Sequence, residues 1–376
     1  ELKDESDNVL PKQLLTIDNA AFNDTLYVEK FILPARLAEI TNVQQFFSQF
    51  KLLSSIEFTG EFENQVYSAL TENDGGKNIA GMLANANKDE IIYCPISLSN
   101  AAEFEVEIPS SIIKIAAHAF DSFEESKTPA LKKYNPVTKV TFNGNLAAIG
   151  DYAFYKSRNL TEVTFKAVAD PVGMTIGDYA FYRCNKLNVV TFEEEGAWST
   201  TDSNIFEATK SCGVKSIGAH AFDSASITEL KLPYSLNTLG EYAFANATAL
   251  KSIDLANVSP ILTFGDYAFS MCRSLTAVEL TKNVGTMNFN LVFYECTKLE
   301  LTVSPDNPNY TVGEGGVLYN KDVTEIIYYP DSFEGVYELP ESVTKISGAV
   351  FKGKNSMTSI VISKNVVEIG DSAFED

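Results

Sequence analysis

The side chains that most often carry out catalysis or bind metals are scarce in this chain of 376 residues. Its two histidines, His118 and His220, are too few for most metal or acid–base chemistry, and no Ser/His/Asp order repeats around them. The cysteines are odd in number and no pair has Cys-x-x-Cys spacing, which argues against a zinc site or a disulfide framework. They are Cys94, Cys184, Cys212, Cys272 and Cys296. We therefore predict no catalytic residue, no cofactor and no metal.

The glycine-rich segments do not form a phosphate-binding loop. Residues 73–76 (NDGG) and 313–316 (GEGG) lack the lysine and threonine of such a loop, and neither stands between a strand and a helix. Both segments are typical of turns. A calcium site that uses Asp74 is the alternative interpretation of the first segment.

The charge of the chain narrows the choice of partner. The formal net charge is −21 and the pI is near 4.5, so the surface repels phosphate backbones and we predict no nucleic-acid partner. No apolar run approaches the roughly 18 residues of a transmembrane helix. Because the sequence begins at Glu1 rather than Met, we expect that a leader has been removed.

The elements that position these residues come from a repeat. A hexapeptide of the type Ile-Gly-Asp-Tyr-Ala-Phe recurs along the chain. Its copies end at Phe22, Phe120, Phe154, Phe181, Phe222, Phe244, Phe269 and Phe374, with looser copies at Phe293 and Phe351. In most copies an apolar residue follows six positions after the Phe, and two alternating apolar residues come next. Phe181, for example, leads to Leu187, Val190 and Phe192.

The two halves of the repeat have different periods. Residues from Ile176 to Leu187 place their apolar side chains at helical spacing, and Asp178 stands where it could cap the first turn of a helix. The later Val-x-Phe pattern alternates with period two, which predicts a short strand. Each unit therefore predicts one or two helical turns followed by a strand.

Stacking is required because a unit of about 23 residues cannot bury its apolar face alone. We predict an α/β repeat fold, a right-handed solenoid with a parallel β-sheet on its concave face and short helices or turns on the other. Residues 1–16 are predicted to be a flexible tether and 17–376 one solenoid. Irregular segments fall at about 59–109, 121–136, 193–215 and 304–340.

Two of the irregular segments resemble one another. Gly81 leads to EIIYCP, which ends at Pro95, and Gly316 leads to EIIYYP, which ends at Pro330. A second proline then precedes the next repeat Phe in both. The shared order and spacing indicate that these segments are copies of one module. Polar Lys321-Asp322 between two apolar runs predicts an inserted β-hairpin.

The hexapeptide followed by Cys or Ser, Leu and Val-x-Phe resembles the BspA-like leucine-rich repeat. The stretch NPNYTVGEGGVLYNKDVTEIIYYP resembles the spacer of that family. The resemblance runs from about Ile17 to Phe374, but the stretch 59–78 and the NFNL before Val292 depart from the pattern. It implies a secreted or surface-attached protein, an adhesive function in several members, and no catalytic residues.

Three surfaces are candidates for binding. If the apolar strand residues point inward, their neighbours point outward in one row: Glu162, Thr164, Val189, Thr191, Glu229, Lys231, Ser252, Asp254, Ala277, Glu279, Ser359 and Val361. The insertion after Phe192 carries the only tryptophan, Trp198, which could anchor a partner. The repeated tyrosines Tyr152, Tyr179, Tyr242 and Tyr267 are the third. A solvated sheet face, a tryptophan folded onto the solenoid, and packing between turns are the respective alternatives.

The leading hypothesis for function is an extracellular or surface-attached, monomeric binding or adhesion module without catalysis. Its partner would be a protein or glycan of the host or matrix. A structural spacer that displays another domain is the first alternative, and an enzyme with a site in the inserts is the second. The cysteines three residues after the repeat Phe are expected to be buried structural thiols, since Ser157, Ala225 and Ala247 take the same place elsewhere.

Overall fold

The protein is a stack of coils with few helices. The computed structural model describes residues 15–18, 20–22, 27–60, 65–99, 101–122, 134–198, 206–256, 258 and 261–375. Residues 1–14 of the predicted tether lie outside these, whereas Leu15 and Thr16 already belong to a strand. In the described part the α-helices are Val43–Ser48 and Phe289–Val292, and the 3₁₀ helices are Glu72–Asp74 and Glu314–Gly316.

Each regular coil contributes two strands to two separate sheets. The a-strand is the Val-x-Phe strand of the repeat, and neighbouring a-strands pair in parallel and in register, as Val163 does with Val190. The a-strand sheets are Lys30–Pro34 with Ser55–Thr59; Glu105–Ile108, Lys139–Phe142, Glu162–Phe165 and Val189–Phe192; Glu229–Lys231, Ser252–Asp254, Ala277–Leu280 and Glu300–Val303; and Gly335–Glu338 with Met357–Val361. The predicted parallel sheet is therefore confirmed.

The b-strand ends on the first residue of the hexapeptide and belongs to a second sheet. One sheet of nine strands comprises Tyr67–Ala69, Leu83–Asn85, Glu90–Tyr93, Lys114–Ile115, Ala148–Ile149, Met174–Ile176, Val214–Ile217, Thr238–Leu239 and Thr263–Phe264. A sheet of five comprises Tyr310–Val312, Leu318–Asn320, Glu325–Tyr328, Lys345–Ile346 and Glu368–Ile369, and Leu15–Ile17 pairs with Leu37–Ile40. Ile176 is thus a strand residue, not the start of a helix.

The hexapeptide forms a chain of turns, which corrects the predicted helix. Tyr179 and Arg183 have φ angles of 57° and 55°, and a left-handed residue at every fourth position interrupts an α-helix. Some amides close local turns, as Tyr182 N–H does by donating to Tyr179 O at 3.1 Å. The amides between them donate to the next coil, as Phe181 N–H does to Ala221 O at 2.7 Å. A helix would satisfy its own amides and leave none to join the coils.

The aspartate of the hexapeptide caps backbone amides of neighbouring coils. Asp178 Oδ1 accepts a hydrogen bond from Ala219 N–H of the following coil at 2.7 Å. Its own N–H donates to Asp151 Oδ1 of the preceding coil at 2.9 Å. The predicted capping by Asp178 is right in chemistry but wrong in location, because the amides that it serves belong to another coil.

The core is an apolar column that is divided into three clusters of buried residues. The repeat phenylalanines stack face to face with centroid separations from 4.6 to 5.8 Å. This phenylalanine stack consists of Phe120, Phe154, Phe181, Phe222, Phe244, Phe269 and Phe293. Leu187 and Val190 of the same unit are buried beside it, and one apolar cluster extends from Leu70 to Tyr328. Each coil therefore buries its face only against its neighbours.

The two similar segments adopt the same fold. Leu83–Asn85 runs antiparallel to Glu90–Tyr93, which then pairs in parallel with Lys114–Ile115. Leu318–Asn320 repeats this with Glu325–Tyr328, which pairs with Lys345–Ile346. The predicted hairpin and duplication are confirmed. Both α-helices lie in the coil that precedes a module, and this explains the NFNL sequence as the site of a helix.

Candidate binding surfaces

The predicted a-strand row faces solvent but is divided between two sheets. Val189 ends the first sheet and is 43 % exposed, whereas Glu229 begins the second. No strand pairing joins the two sheets among the described residues, and the strands Glu194–Trp198 and Phe206–Ser211 of the insertion follow the first sheet in the chain. The side chains of the second half are all exposed: Glu229, Lys231, Ser252, Asp254, Ala277 and Glu279. Ser359 and Val361 lie in a separate pair of strands.

Thr164 contributes little to this surface. It is 9 % exposed because it stands in register between Thr141 and Thr191 on the neighbouring strands. Glu162 and Thr191 are partly buried. The accessible part of the first half therefore consists of Val189 with the edges of its neighbours.

Charged side chains on the first a-strand sheet form ion pairs with one another. Lys139 lies between two carboxylates, with Nζ 3.4 Å from Glu105 and 3.5 Å from Glu162. The hydrogen bond to Glu105 and the charge of Glu162 raise the pKa of Lys139. Hydrogen bonds from Lys77 and Lys139 lower the pKa of Glu105. These surface pairs are screened by solvent, so they order the side chains more than they stabilise the fold.

The insertion that carries Trp198 is an antiparallel hairpin of Glu194–Trp198 and Phe206–Ser211. Its base is fixed by Glu194, whose carboxylate accepts hydrogen bonds from Tyr234 N–H at 2.7 Å and Ser235 N–H at 3.3 Å. Trp198 pairs with Phe206 at the far end of the strands. The sheet row and Trp198 are therefore attached to one scaffold.

The repeated tyrosines join the two histidines in one stack, which the sequence did not reveal. Neighbouring rings lie 4.7 to 5.0 Å apart and nearly parallel. This surface aromatic stack, whose members are all partly buried, runs through His118, Tyr152, Tyr179, His220, Tyr242 and Tyr267. Since the rings cover one another's faces, mainly their edges meet solvent. The geometry favours packing between coils over a binding surface for these tyrosines.

Each histidine of the surface aromatic stack is held by an aspartate in its own turn. His118 Nδ1 lies 2.7 Å from Asp121 Oδ2, and His220 Nδ1 lies 2.8 Å from Asp223 Oδ2. Burial raises the pKa of Asp121 although its hydrogen bond to His118 acts in the opposite direction. Both pairs share the sequence order His-Ala-Phe-Asp, which is the signal from which they could have been predicted.

Asp74 is engaged by protein groups, which disfavours the calcium interpretation. Its carboxylate accepts hydrogen bonds from Lys88 Nζ at 2.8 and 2.9 Å and from Thr71 N–H at 2.6 Å. Burial opposes ionisation, but the hydrogen bonds from Lys88 and Thr71 leave the pKa of Asp74 below its usual value. Within the described ranges no three His, Cys, Asp or Glu side chains are grouped as metal ligands would be.

The repeat cysteines bond one coil to the preceding one. Cys184 Sγ donates to Phe154 O at 3.1 Å, and Ser157 Oγ donates to Phe120 O at 2.7 Å from the same position of its unit. Cys272 and Cys296 repeat the contact. All five cysteines lie in the described part of the chain, and each is buried and outside any disulfide. The expected structural role is confirmed.

We expect native thiols to resist modification. Burial raises the pKa of Cys94 and of Cys212 to about 12, so almost no thiolate exists at neutral pH. Labelling with Ellman's reagent at pH 8 should be at least about a hundredfold slower than in 6 M guanidinium chloride, where all five thiols should react. A thiol that reacts rapidly in the folded protein would contradict this assignment.

The fold and the turn chemistry define a leucine-rich-repeat solenoid, and comparison with known families agrees. The model of the BspA type leucine rich repeat region matches residues 6–80, 98–212, 215–338 and 321–376. The chain therefore belongs to the BspA type leucine-rich-repeat family. A search of curated proteins finds no match. The described residues contain no helix with the length and apolar character needed to cross a membrane.

Solved structures of leucine-rich repeat proteins are similar to the chain at low identity. A leucine-rich repeat protein from Eubacterium ventriosum is 22% identical over 72% of this chain and 58% of its own, with a TM-score of 0.40. The pneumococcal vaccine antigen PcpA is 18% identical over 84% of this chain and 67% of its own, with a TM-score of 0.48. A leucine rich cell surface protein from Faecalibacterium prausnitzii is 19% identical over 84% of this chain and 74% of its own, with a TM-score of 0.44.

Proposed function

We propose that the chain is an extracellular, non-catalytic binding module that recognises a basic patch on a host or matrix protein through the outward face of its a-strands. The observation that carries the proposal is the difference between the inward and the outward residues of the a-strands. Inward a-strand residues such as Val163, Leu230 and Val278 are apolar and buried. The outward residues change in chemistry from coil to coil on a fixed scaffold, as is typical of solenoid binding surfaces.

Charge selects the kind of partner. On the second a-strand sheet the exposed outward side chains include Glu229, Asp254, Glu279 and Glu300, against one cation, Lys231. Strand pairing fixes the positions of these carboxylates on the sheet. Glu300 lies opposite Ala277, and Asp254 lies opposite Lys231. A row of ordered negative charges attracts a basic surface and raises its rate of association. A glycan partner would have to bring its own positive charge or bind elsewhere.

Binding of the purified chain to an array of matrix proteins and host glycans, at physiological salt, tests this proposal. We expect a saturable protein hit that weakens about tenfold or more in the double variant Glu229→Lys/Glu279→Lys. Asp322→Lys/Glu341→Lys is the matched control, because both residues are exposed and the change in net charge is the same. Loss of binding in Trp198→Ala alone would move the site to the hairpin. Silence across the array would favour a spacer that displays another domain.

A further inference from the structure

The C-terminal module opens a cleft in the side of the stack. Its segment Tyr328–Pro330 has no hexapeptide turn, and the cleft lies between the residues that follow Phe293 and the turn that contains Phe351. The cleft has a volume of about 520 Å³, which is within the range of small-molecule sites. Its lining includes Arg273, Asn290, Tyr294, Glu295, Tyr328, Asp331 and Lys354.

Two buried polar atoms in the cleft wall have no partner among the described residues. The Tyr328 hydroxyl is one of them, and its side chain is 2 % exposed. The other is Asn290 Oδ1, whose amide nitrogen donates to Ile327 O at 2.8 Å and to Gly348 O at 3.2 Å. A buried polar atom without a hydrogen-bond partner destabilises the folded state. Both atoms have almost no accessible surface, so a ligand hydroxyl in the cleft pairs with them only after side chains of the cleft wall shift.

The N-terminal module shows that the fold itself does not require these orphans. Tyr93 stands in the place of Tyr328, and its hydroxyl donates to Phe47 O at 3.4 Å. Its ring also stacks on Phe47 at 5.0 Å. Gln44 repeats the contact of Asn290 by donating to Ala117 O at 3.0 Å. The same framework is thus satisfied internally in one copy and leaves polar groups unpaired in the other.

The charges in the C-terminal cleft are balanced. Arg273 Nη2 lies 2.6 Å from Glu295, and Lys354 Nζ lies 2.7 Å from Asp331. Lys352, which also lines the cleft, lies with Nζ 3.1 Å from Glu375. Lys354 Nζ also sits 5.4 Å from the centroid of the Tyr328 ring. An anionic or cationic ligand would have to break these pairs. A neutral ligand whose hydroxyls both donate and accept can instead bridge them, since the carboxylates accept and the cations donate.

An aromatic wall completes the cleft. Tyr294 follows the last ring of the phenylalanine stack and meets Tyr267 edge to face, with an interplanar angle of 85°. In the described part of the chain no ring stacks on its face. Tyr155 and Tyr182 hold the same place in other units but stack on each other at 5.5 Å. Tyr294 is therefore the member of this set whose face can pack against a ligand.

We propose that this cleft binds a neutral sugar residue. The C–H face of the sugar packs on Tyr294, and its hydroxyls bridge the Arg273–Glu295 and Lys354–Asp331 pairs. After the wall side chains shift, one hydroxyl pairs with Tyr328 and Asn290. Apolar ring faces beside ordered donor and acceptor pairs match the two faces of a pyranose. The inference stands independently of the a-strand surface, which lies on other residues.

Saturation-transfer NMR tests the proposal with the methyl glycosides of glucose, galactose, mannose, fucose, N-acetylglucosamine and N-acetylgalactosamine. At least one should bind saturably with a Kd on the order of 1 mM. Tyr294→Ala should weaken it at least about tenfold, and Thr297→Trp, which fills the cleft mouth, should do the same. Tyr182→Ala is the matched control and should bind as the unaltered chain does.

Several results would overturn the proposal. They are silence of all six glycosides up to about 20 mM, binding that persists in both cleft variants, or preference for methyl glucuronide over every neutral sugar. Thermal unfolding of each variant, followed by circular dichroism, separates a lost site from a lost fold. Since matrix-protein binding uses Glu229 and Glu279, its success or failure does not affect this test.

Discussion

Gly177→Ala is expected to destabilise the solenoid by about 3 kcal/mol, although it adds one methyl group at the surface of a turn. The added Cβ would point into the preceding coil. It would lie 2.7 Å from Asp151 N and 2.8 Å from Gly150 C, and closer still to Asp151 Oδ1. These atoms are backbone, or a side chain fixed by its hydrogen bond to Asp178 N–H, so they cannot move aside. The coils would have to separate and lose the amide bonds that join them.

The matched control for this substitution is already present in the sequence. Ala116 occupies the glycine position in the turn that follows the N-terminal module, and Ser347 occupies it in the turn that follows the C-terminal module. In both cases the preceding coil is a module without a hexapeptide turn, so a Cβ has room. Ser347 Oγ even donates to Glu325 there at 2.7 Å. Glycine is therefore needed where two hexapeptide turns are neighbours.

Urea denaturation followed by circular dichroism measures both effects. Gly177→Ala should lower the free energy of unfolding, whereas Ala116→Ser should change it by less than about 0.5 kcal/mol. Equal stabilities of Gly177→Ala and the unaltered chain would show that the coils separate at little cost. That result would contradict the close approach as the reason for the glycine.

The repeat made the architecture predictable because its apolar positions serve the same purpose in every coil. The period-two pattern at Val190 and Phe192 identified the a-strands, and the matching spacing before Pro95 and Pro330 identified the duplicated module. Both follow from local rules for strands and hairpins. The second sheet was missed because a two-residue strand such as Ala148–Ile149 has no periodicity of its own.

The helix prediction failed because helical spacing and a chain of turns bury the same side chains. Ala180, Phe181 and Cys184 are all buried, as the pattern required. The pattern cannot show where the backbone amides donate. Between Tyr179 and Cys184 every second amide donates to the next coil. The cleft beside Tyr294 was equally hidden, since it depends on a coil that lacks a turn. Only the three-dimensional comparison of the two modules reveals that one copy is open.

The second large effect is expected for Phe181→Ala, which should cost about 3–5 kcal/mol. Phe181 is fully buried and its ring is stacked on both sides, 4.8 Å from Phe154 and 4.9 Å from Phe222. Removal of the ring leaves a cavity that neighbouring coils cannot close, because their spacing is fixed by hydrogen bonds between turns. The change also weakens the coupling between the two halves of the stack.

Phe374→Ala is the same substitution at a position with one neighbour. Phe374 is 41 % exposed and stacks only on Phe351, at 5.0 Å, among the ring contacts of the described residues. We expect a loss below about 1 kcal/mol for Phe374→Ala. Because stability in a linear stack is a sum of nearest-neighbour terms, Phe181→Ala should also broaden the denaturation curve or split it into two transitions, while Phe374→Ala keeps its shape. A single sharp transition with an equal loss in both variants would mean that stability is shared by the whole stack and does not depend on the contacts of each coil.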